Sequence, residues 1–232
     1  MKLLEAEKNE NIKQNIYRNL KYNIMSLTLK PGEKISESEL QKIFNASKSP
    51  IREALAKLKE EALIDVIPQK GTFISKINLK LVESTLFIRK VVENEILSLV
   101  KDSEIEKDNL IKSLNENFES MKSIISTCQN PENLLNLFDL DKEFHKIIFK
   151  FVDKEEVWNI ITSSSTHYER FRVLETPELN NILFILEQHQ RIIDLLKDEN
   201  KTNISFIRDL HVKNFTNSFG NLINKYPNYF AK

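Results

Sequence analysis

A chain of 232 residues with 41% hydrophobic and 29% charged side chains has the balance of a globular protein with room for two cores, not of a disordered or membrane-embedded one. No apolar run approaches the roughly 20 residues that span a bilayer. The opening MKLLEAEKNENIKQ lacks an apolar stretch of signal-peptide length, so a cytoplasmic protein without membrane attachment is expected. Formal charge is zero overall, yet residues 1–77 hold 14 Lys and Arg against 10 Asp and Glu, so the first part carries +4 and the remainder −4. That split suits a nucleic-acid-binding head on a domain that does not touch nucleic acid.

In chain order, apolar spacing predicts a first helix at about 11–28, stopped by Lys30-Pro31-Gly32, and a second at about 36–44. Ser36 with Glu39 has the form of a capping box for the second helix. Asn45-Ala46 is a tight connection, since Asn tolerates the left-handed backbone conformation. A third helix follows at about 48–61. Residues 64–77, IDVIPQKGTFISKI, then place two β-branched runs around Pro68-Gln69-Lys70-Gly71, the pattern of a hairpin. Helix, tight turn, helix and hairpin together make a winged helix-turn-helix, whose second helix presents its first residues to base edges in the major groove. That helix opens Ser47-Lys48-Ser49-Pro50-Ile51-Arg52, with hydroxyls and cations where helix-terminal amides also favour phosphate. The same two cations would equally suit the solvated face of any short helix.

From Asn78 onward there is no strand signal. Six helices are predicted at about 79–100, 104–126, 132–152, 154–174, 178–197 and 203–224. Ser103 with Glu106 and Asp153 with Glu156 have the spacing of further capping boxes, and Pro177 suits a first helical position. The expected architecture is mainly α: a winged helix-turn-helix of three helices and a β-hairpin wing over 1–77, then an all-α antiparallel bundle over 78–232. The single cysteine, Cys128, lies in the polar stretch STCQNPEN and reads as a bystander thiol.

All four histidines, at 145, 167, 189 and 211, fall in the second part. Asp141 and His145 are four apart and share a helix face. His189 and His211 are equidistant from the predicted turn Asp198–Lys201, so they can face each other across a helical hairpin. One carboxylate and three imidazoles suit a divalent transition metal, with Zn, Ni, Mn and Fe all chemically possible. Packed imidazoles without a metal are the alternative, and His167, lacking a companion at ligand spacing, is assigned to it.

The segment LKPGEKISESELQKIFNASKSPIREALAKLKEEALIDVIPQKGTFIS resembles the GntR-family winged helix. The features that match are Pro31-Gly32, Glu37 to Leu40, Ala46 to Leu55, Leu58 to Leu63 and Lys70-Gly71. The resemblance implies that Lys48 and Arg52 approach bases or phosphates, that Ser47 and Ser49 bond phosphate, and that Lys70 with Gly71 reaches the minor groove. Ser38 stands where some members carry a base-reading Arg. Lys replaces the usual Arg at 48 and 70, and Lys lacks the bidentate fork that reads guanine best. More phosphate and less guanine contact is therefore expected.

The run Asp141-Lys-Glu-Phe144-His145, then Glu187-Gln-His189-Gln-Arg191 and His211, is similar to the FCD effector domain of the FadR-like branch. That resemblance implies that Asp141, His145, His189 and His211 hold a metal, which anchors a small carboxylate effector. Arg89 and Glu93 match the "R--LE" motif of its first helix. Arg89 would pair either with an effector carboxylate or with an internal acid. Arg170 and Arg172 are further candidates for the pocket lining. The family further implies a homodimer, formed through the effector domains, on a near-palindromic double-stranded operator; repression relieved by ligand is its commoner mode, and the sign of the ligand's effect is not written in the sequence. A metal-dependent hydrolase using the same Asp and His residues is the competing class. It finds neither an H-E-x-x-H helix nor an H-x-E with C-x-x-C, and it leaves the winged helix unused, so a regulator rather than an enzyme is expected.

Overall fold

The computed structural model describes residues 1–125, 131–176, 179–197 and 219–231. Helix α1, Ile12–Met25, opens with a reciprocal cap in which Asn11 accepts from Gln14 N and the Gln14 side chain accepts from Asn11 N. Its face of Ile16, Leu20 and Ile24 is fully buried against α3. Ser36 caps α2, Glu37–Phe44, by accepting from Glu39 N, and Asn45 ends that helix in the left-handed region at φ 47°. Helix α3, Lys48–Glu60, buries Ile51, Ala54, Leu55 and Leu58, the 3–4–7 spacing of one helical face. Its opposite face, carrying Lys48, Ser49 and Arg52, is exposed.

The hairpin pairs β2, Ile64–Ile67, with β3, Gly71–Ile74, across a turn in which Gln69 and Gly71 both have positive φ. A strand that the sequence pattern does not reveal, β1, Lys34–Ile35, pairs antiparallel with the other edge of β3. The wing is thus a three-stranded sheet of order β1-β3-β2. Two residues are too few for a visible alternation; only pairing to β3 makes them a strand.

Helices α4, Leu79–Asp102; α5, Asp108–Ile124; α6, Pro131–Phe151; α7, Glu155–Ser163; α8, Thr166–Glu175; and α9, Leu179–Leu196, pack around a second core that includes Phe138, Phe144, Phe149 and Trp158. Three expectations need correction. The helix predicted over 154–174 is broken at Ser164-Ser165, whose backbone leaves the helical region, so that α8 sets off as a separate helix. Neither expected capping box forms: α5 starts at Asp108 after the Lys107 cap, with Ser103 Oγ accepting instead from Ile105 N, and Asp153 adopts φ 55° one residue before the Lys154 cap of α7. In both, the tertiary path of the connection overrides the local signal. The predicted turn at 198–201, most of the helix expected over 203–224, Cys128, Pro177 and His211 lie outside the described residues.

A third, small core joins the two larger ones. Ile77, Val82 and Leu86 from the connection and the start of α4 pack with Tyr168 and Phe171 of α8 and with Phe230 near the chain end. The Phe230 strand residue bridges Ile77 in parallel, through Ile77 N to Tyr229 O at 2.8 Å and Ala231 N to Ile77 O at 2.9 Å. The connection from β3 to α4 is therefore hydrogen-bonded to the segment around Phe230 rather than a loose tether.

Candidate functional site

Four helices converge on one buried polar cluster in the second core. Asp141 and His145 project from the same face of α6, and His189 comes from α9; each is at most 2% exposed. Their ligand-capable atoms all lie within 4.8 Å of one another, with His189 Nε2 at 3.3 Å from Asp141 Oδ1. His211 lies outside the described residues. His145 stacks on Trp158 with ring centroids 5.4 Å apart, and His189 meets Phe144 at 4.2 Å, so aromatic faces limit how either imidazole can turn.

Helix α4 adds Arg89 and Glu93. Arg89 Nε donates to Glu93 Oε1 at 2.6 Å, and the second Glu93 oxygen lies 3.4 Å from His145 Nδ1. The Arg89 guanidinium also donates to Tyr168 Oη at 3.1 Å and lies between the Trp158 and Tyr168 rings. The internal ion pair is thus formed, and Arg89 reaches the metal-type cluster through Glu93. Helix α8 adds Arg172, whose Nη1 donates to Asp141 Oδ2 at 2.8 Å while its plane covers Phe138. Arg170 does not join the pocket. It is two residues from Arg172, about 200° around a helix, and its guanidinium turns to Ser75 instead.

Burial sets the protonation states. For Asp141, the cost of burial is outweighed by Arg172 and by the two histidines, which hold its carboxyl well below the usual range. Burial pushes His145 down, and Arg89 pushes it further, so this ring is neutral, the form that ligates metals. Burial alone would lower Arg89 and Arg172, but Glu93 and Asp141 respectively reverse it and both stay charged. A carboxylate beside neutral imidazole is a fitting donor set for a divalent transition metal. Arg89 Nη2 and Arg172 Nε are buried N–H donors with no acceptor among the described residues. Unmet donors of that kind fit an anionic ligand beside the cluster. An apolar recess lined by Ile96, Leu97, Ile148, Phe149 and Ile192 adjoins His145 and Glu93.

At the other end of the molecule, Ser38, Ser47, Lys48, Ser49, Arg52 and Lys70 are all exposed. Ser47 is the N-cap of α3 by backbone position, yet its side chain makes no capping bond. Ser38 Oγ shares a hydrogen bond with Ser36 Oγ, and Ser49 Oγ donates to Glu53. Arg52 Nε donates to Glu37 Oε2 at 3.1 Å, an exposed contact that links the first turns of α2 and α3. Gly71 follows Lys70 at the wing tip with φ 116°, and a Cβ there would meet Lys34 Cε at 2.9 Å. Lys34, on β1, therefore sits against the wing tip beside Lys70, a further basic residue that the sequence pattern did not single out.

Residues 12–74 match the family described as bacterial regulatory proteins, gntR family, and residues 85–211 match the FCD domain, more than half of the chain. The chain belongs to the GntR family. It is an FCD-containing transcriptional regulator that binds DNA through its winged helix-turn-helix. The HTH-type transcriptional repressor RspR of Escherichia coli strain K12 is 26% identical over 225 residues, covering 95% of this chain and 94% of that protein. The HTH-type regulator YdhC of Bacillus subtilis strain 168 is 29% identical over 185 residues, 80% of each chain. Among solved structures, a GntR regulator from Rhodococcus sp. RHA1 superposes with a TM-score of 0.65 at 17% identity, over 92% of this chain and 98% of that one, which shows the shared fold.

Tyr168 is the site residue that the regulator's sequence did not single out, while Arg172 stood there beside Arg170 as a candidate for the pocket lining. Their helix reads as part of a longer one, and the i, i+4 spacing of Tyr168 and Arg172, a single shared face, was the available signal. Removing one member of a buried ion pair strands the other charge, typically at about 3–5 kcal/mol. Arg172→Met is expected to destabilise the metal-free regulator by that order, read from the midpoint of urea unfolding, whereas an unchanged midpoint would show that Asp141 does not depend on it.

Proposed function

We propose that this GntR-family regulator is a cytoplasmic repressor with a DNA-binding head over 1–77 and a sensor over 78–232, whose operator binding is modulated by a small carboxylate held at a divalent metal. The carrying observation is the buried cluster of Asp141, His145 and His189 with two cationic arginines beside it. Asp141, His145 and His189, joined by His211, would hold Zn, Ni, Mn or Fe. The bound ion would supply a Lewis-acidic anchor for an oxygen ligand. Arg89 and Arg172 would then stabilise the carboxylate, each with a buried N–H directed to no internal acceptor among the described residues. Repression is favoured by the repressor names of relatives, including the gluconate operon transcriptional repressor of Bacillus subtilis, 25% identical over 197 residues.

Ser38, Ser47, Lys48, Ser49, Arg52, Lys70 and Gly71 would form the DNA contact. The exposed N-terminal end of α3 would enter the major groove, and the wing would reach the minor groove. Arg52 would exchange Glu37 for a base edge or phosphate, so Glu37 would hold its guanidinium extended before DNA arrives. A homodimer would give two such heads for a near-palindromic operator. Its proposed surface is the outer side of α4, where Phe87, Ile88 and Val91 are 67%, 46% and 52% exposed, opposite the face that carries Arg89 and Glu93.

Zinc titration should show one ion per chain in the wild type. Asp141→Ala, His189→Ala and His211→Ala should each weaken uptake by about 100-fold or more, given that even loss of an outer-shell partner costs 10–100-fold. Zinc uptake unaffected by these changes would sink the metal site. On DNA from the regulator's own promoter, Arg52→Ala should abolish the gel shift. Lys48→Gln should make the slope of log affinity against log salt shallower by about 0.9, one phosphate contact. Val91→Glu should convert a dimer to a monomer in sedimentation velocity; a dimer that persists would move the interface elsewhere.

A further inference from the structure

Helix α8 touches the proposed ligand site on one face and the DNA-binding head on the other. Tyr168 and Arg172, four residues apart, meet Arg89 and Asp141. Thr166 and Arg170, also four apart but offset by two residues, point to the opposite side. There Thr166 Oγ1 donates to Glu61 O at 3.0 Å, the residue that ends α3. Arg170 donates to Ser75 O at 2.6 Å and to Ser75 Oγ at 2.9 Å, just beyond the end of β3. His167 Nδ1 lies 3.0 Å from Arg170 Nη2 and accepts from Asn78 N at 3.2 Å, the cap of α4. Two donors at Nδ1 place the ring proton on Nε2.

The Arg170 contact is chemically unusual. Its side chain is 0% exposed, yet its contacts are two carbonyls, of Ser75 and Thr166, a hydroxyl and a neutral ring, and Asp65 acts on it only through space. Burial pulls its guanidinium down to about 10, against which the more deeply paired Arg172 is raised. A buried cation satisfied by dipoles is held by geometry rather than by an opposite charge; Thr166 O and His167 Nδ1 move with α8, so a small displacement of α8 removes the two Ser75 acceptors together.

We infer that α8 is the coupling element of the regulator: a change in the charge that Arg172 meets at Asp141 shifts α8, and Arg170 with Thr166 passes that shift to the end of the recognition helix and the exit of the wing. The inference rests on Asp141 belonging to the effector site. Because a ligand moves an equilibrium only by its different affinity for two states, the two states here are Arg170 seated on Ser75 and Arg170 released.

A double-mutant cycle on the full chain tests this without any metal. Asp141→Asn neutralises the partner of Arg172, and Arg170→Met removes the seat on Ser75 while keeping bulk. Amide exchange at Asn78, whose N–H is held by His167, is the readout, with core amides of α2 as the reference for global opening. Each single change should speed Asn78 exchange by about tenfold relative to α2, and the double variant should show no further increase, the non-additivity of residues in one network. Effects that multiply, or an Asp141→Asn variant with unchanged Asn78 exchange, would overturn the inference. Should Arg170→Met fail to fold, Ser75→Ala takes its place in the cycle, since it removes one acceptor from the same guanidinium. Native mass spectrometry with zinc alone reads the ligand site separately. Arg170→Met should take up zinc as the wild type does, and selective loss of uptake in this variant would place Arg170 in the site and overturn its coupling role. A wild type that takes up no zinc would count against the metal reading, while the metal-free cycle still decides on α8.

Discussion

The sensor is organised around charge that has been taken out of water. Asp141, Arg172 and Arg89 are each at most 7% exposed, and Glu93 completes the set from the edge of the same core. Isolated, any of them would cost several kcal/mol to bury. Asp141–Arg172 ties α6 to α8, and Arg89, paired with Glu93 within α4, reaches α8 through Tyr168, so the three helices are held in one arrangement that brings His145 and His189 together. An apolar cluster of the same volume would pack these helices with less demand on geometry, but it would offer groups for neither a metal cation nor an anion. The stringency of the ion pairs is thus what a receptor core needs.

The same helices carry the connection to the head. α4 presents Arg89 and Glu93 inward and Phe87, Ile88 and Val91 outward, so a single helix borders both the proposed ligand and the proposed partner chain. α8 is shorter and is bonded on opposite faces to the site and to the head. The small core of Ile77, Tyr168, Phe171 and Phe230 fills the space between them. A rigid joint of this kind makes the pose of the DNA-binding head a property of the whole chain, which a flexible linker would not.

Much of the head was legible because its signals are local. Apolar spacing of 3, 4 and 7 placed α1, α2 and α3; Ser36 and Asn45 marked where α2 begins and ends; the Pro68–Gly71 turn marked the hairpin. The exceptions were β1, which exists only by pairing with β3, and Lys34, which reaches the wing tip through that pairing. In the sensor, the placement of Asp141 and His145 followed from one helix turn. His189 required a fold to join them, and the family resemblance supplied it.

Sequence alone therefore determined the helical character of the second part, the winged helix of the first, and the residue types of the buried cluster, because helical periodicity, caps and turns are written within a few residues. Only the tertiary structure decided that Arg172 and not Arg170 meets Asp141, that Arg170 turns to Ser75, that Ser164-Ser165 separates α7 from α8, and that Arg89 touches Tyr168. The bonds concerned join residues 31, 79 and 95 apart in the chain. Contacts over such distances depend on where a whole helix comes to rest and which way it is rotated, and those are set by the packing of every neighbour at once rather than by any nearby residue.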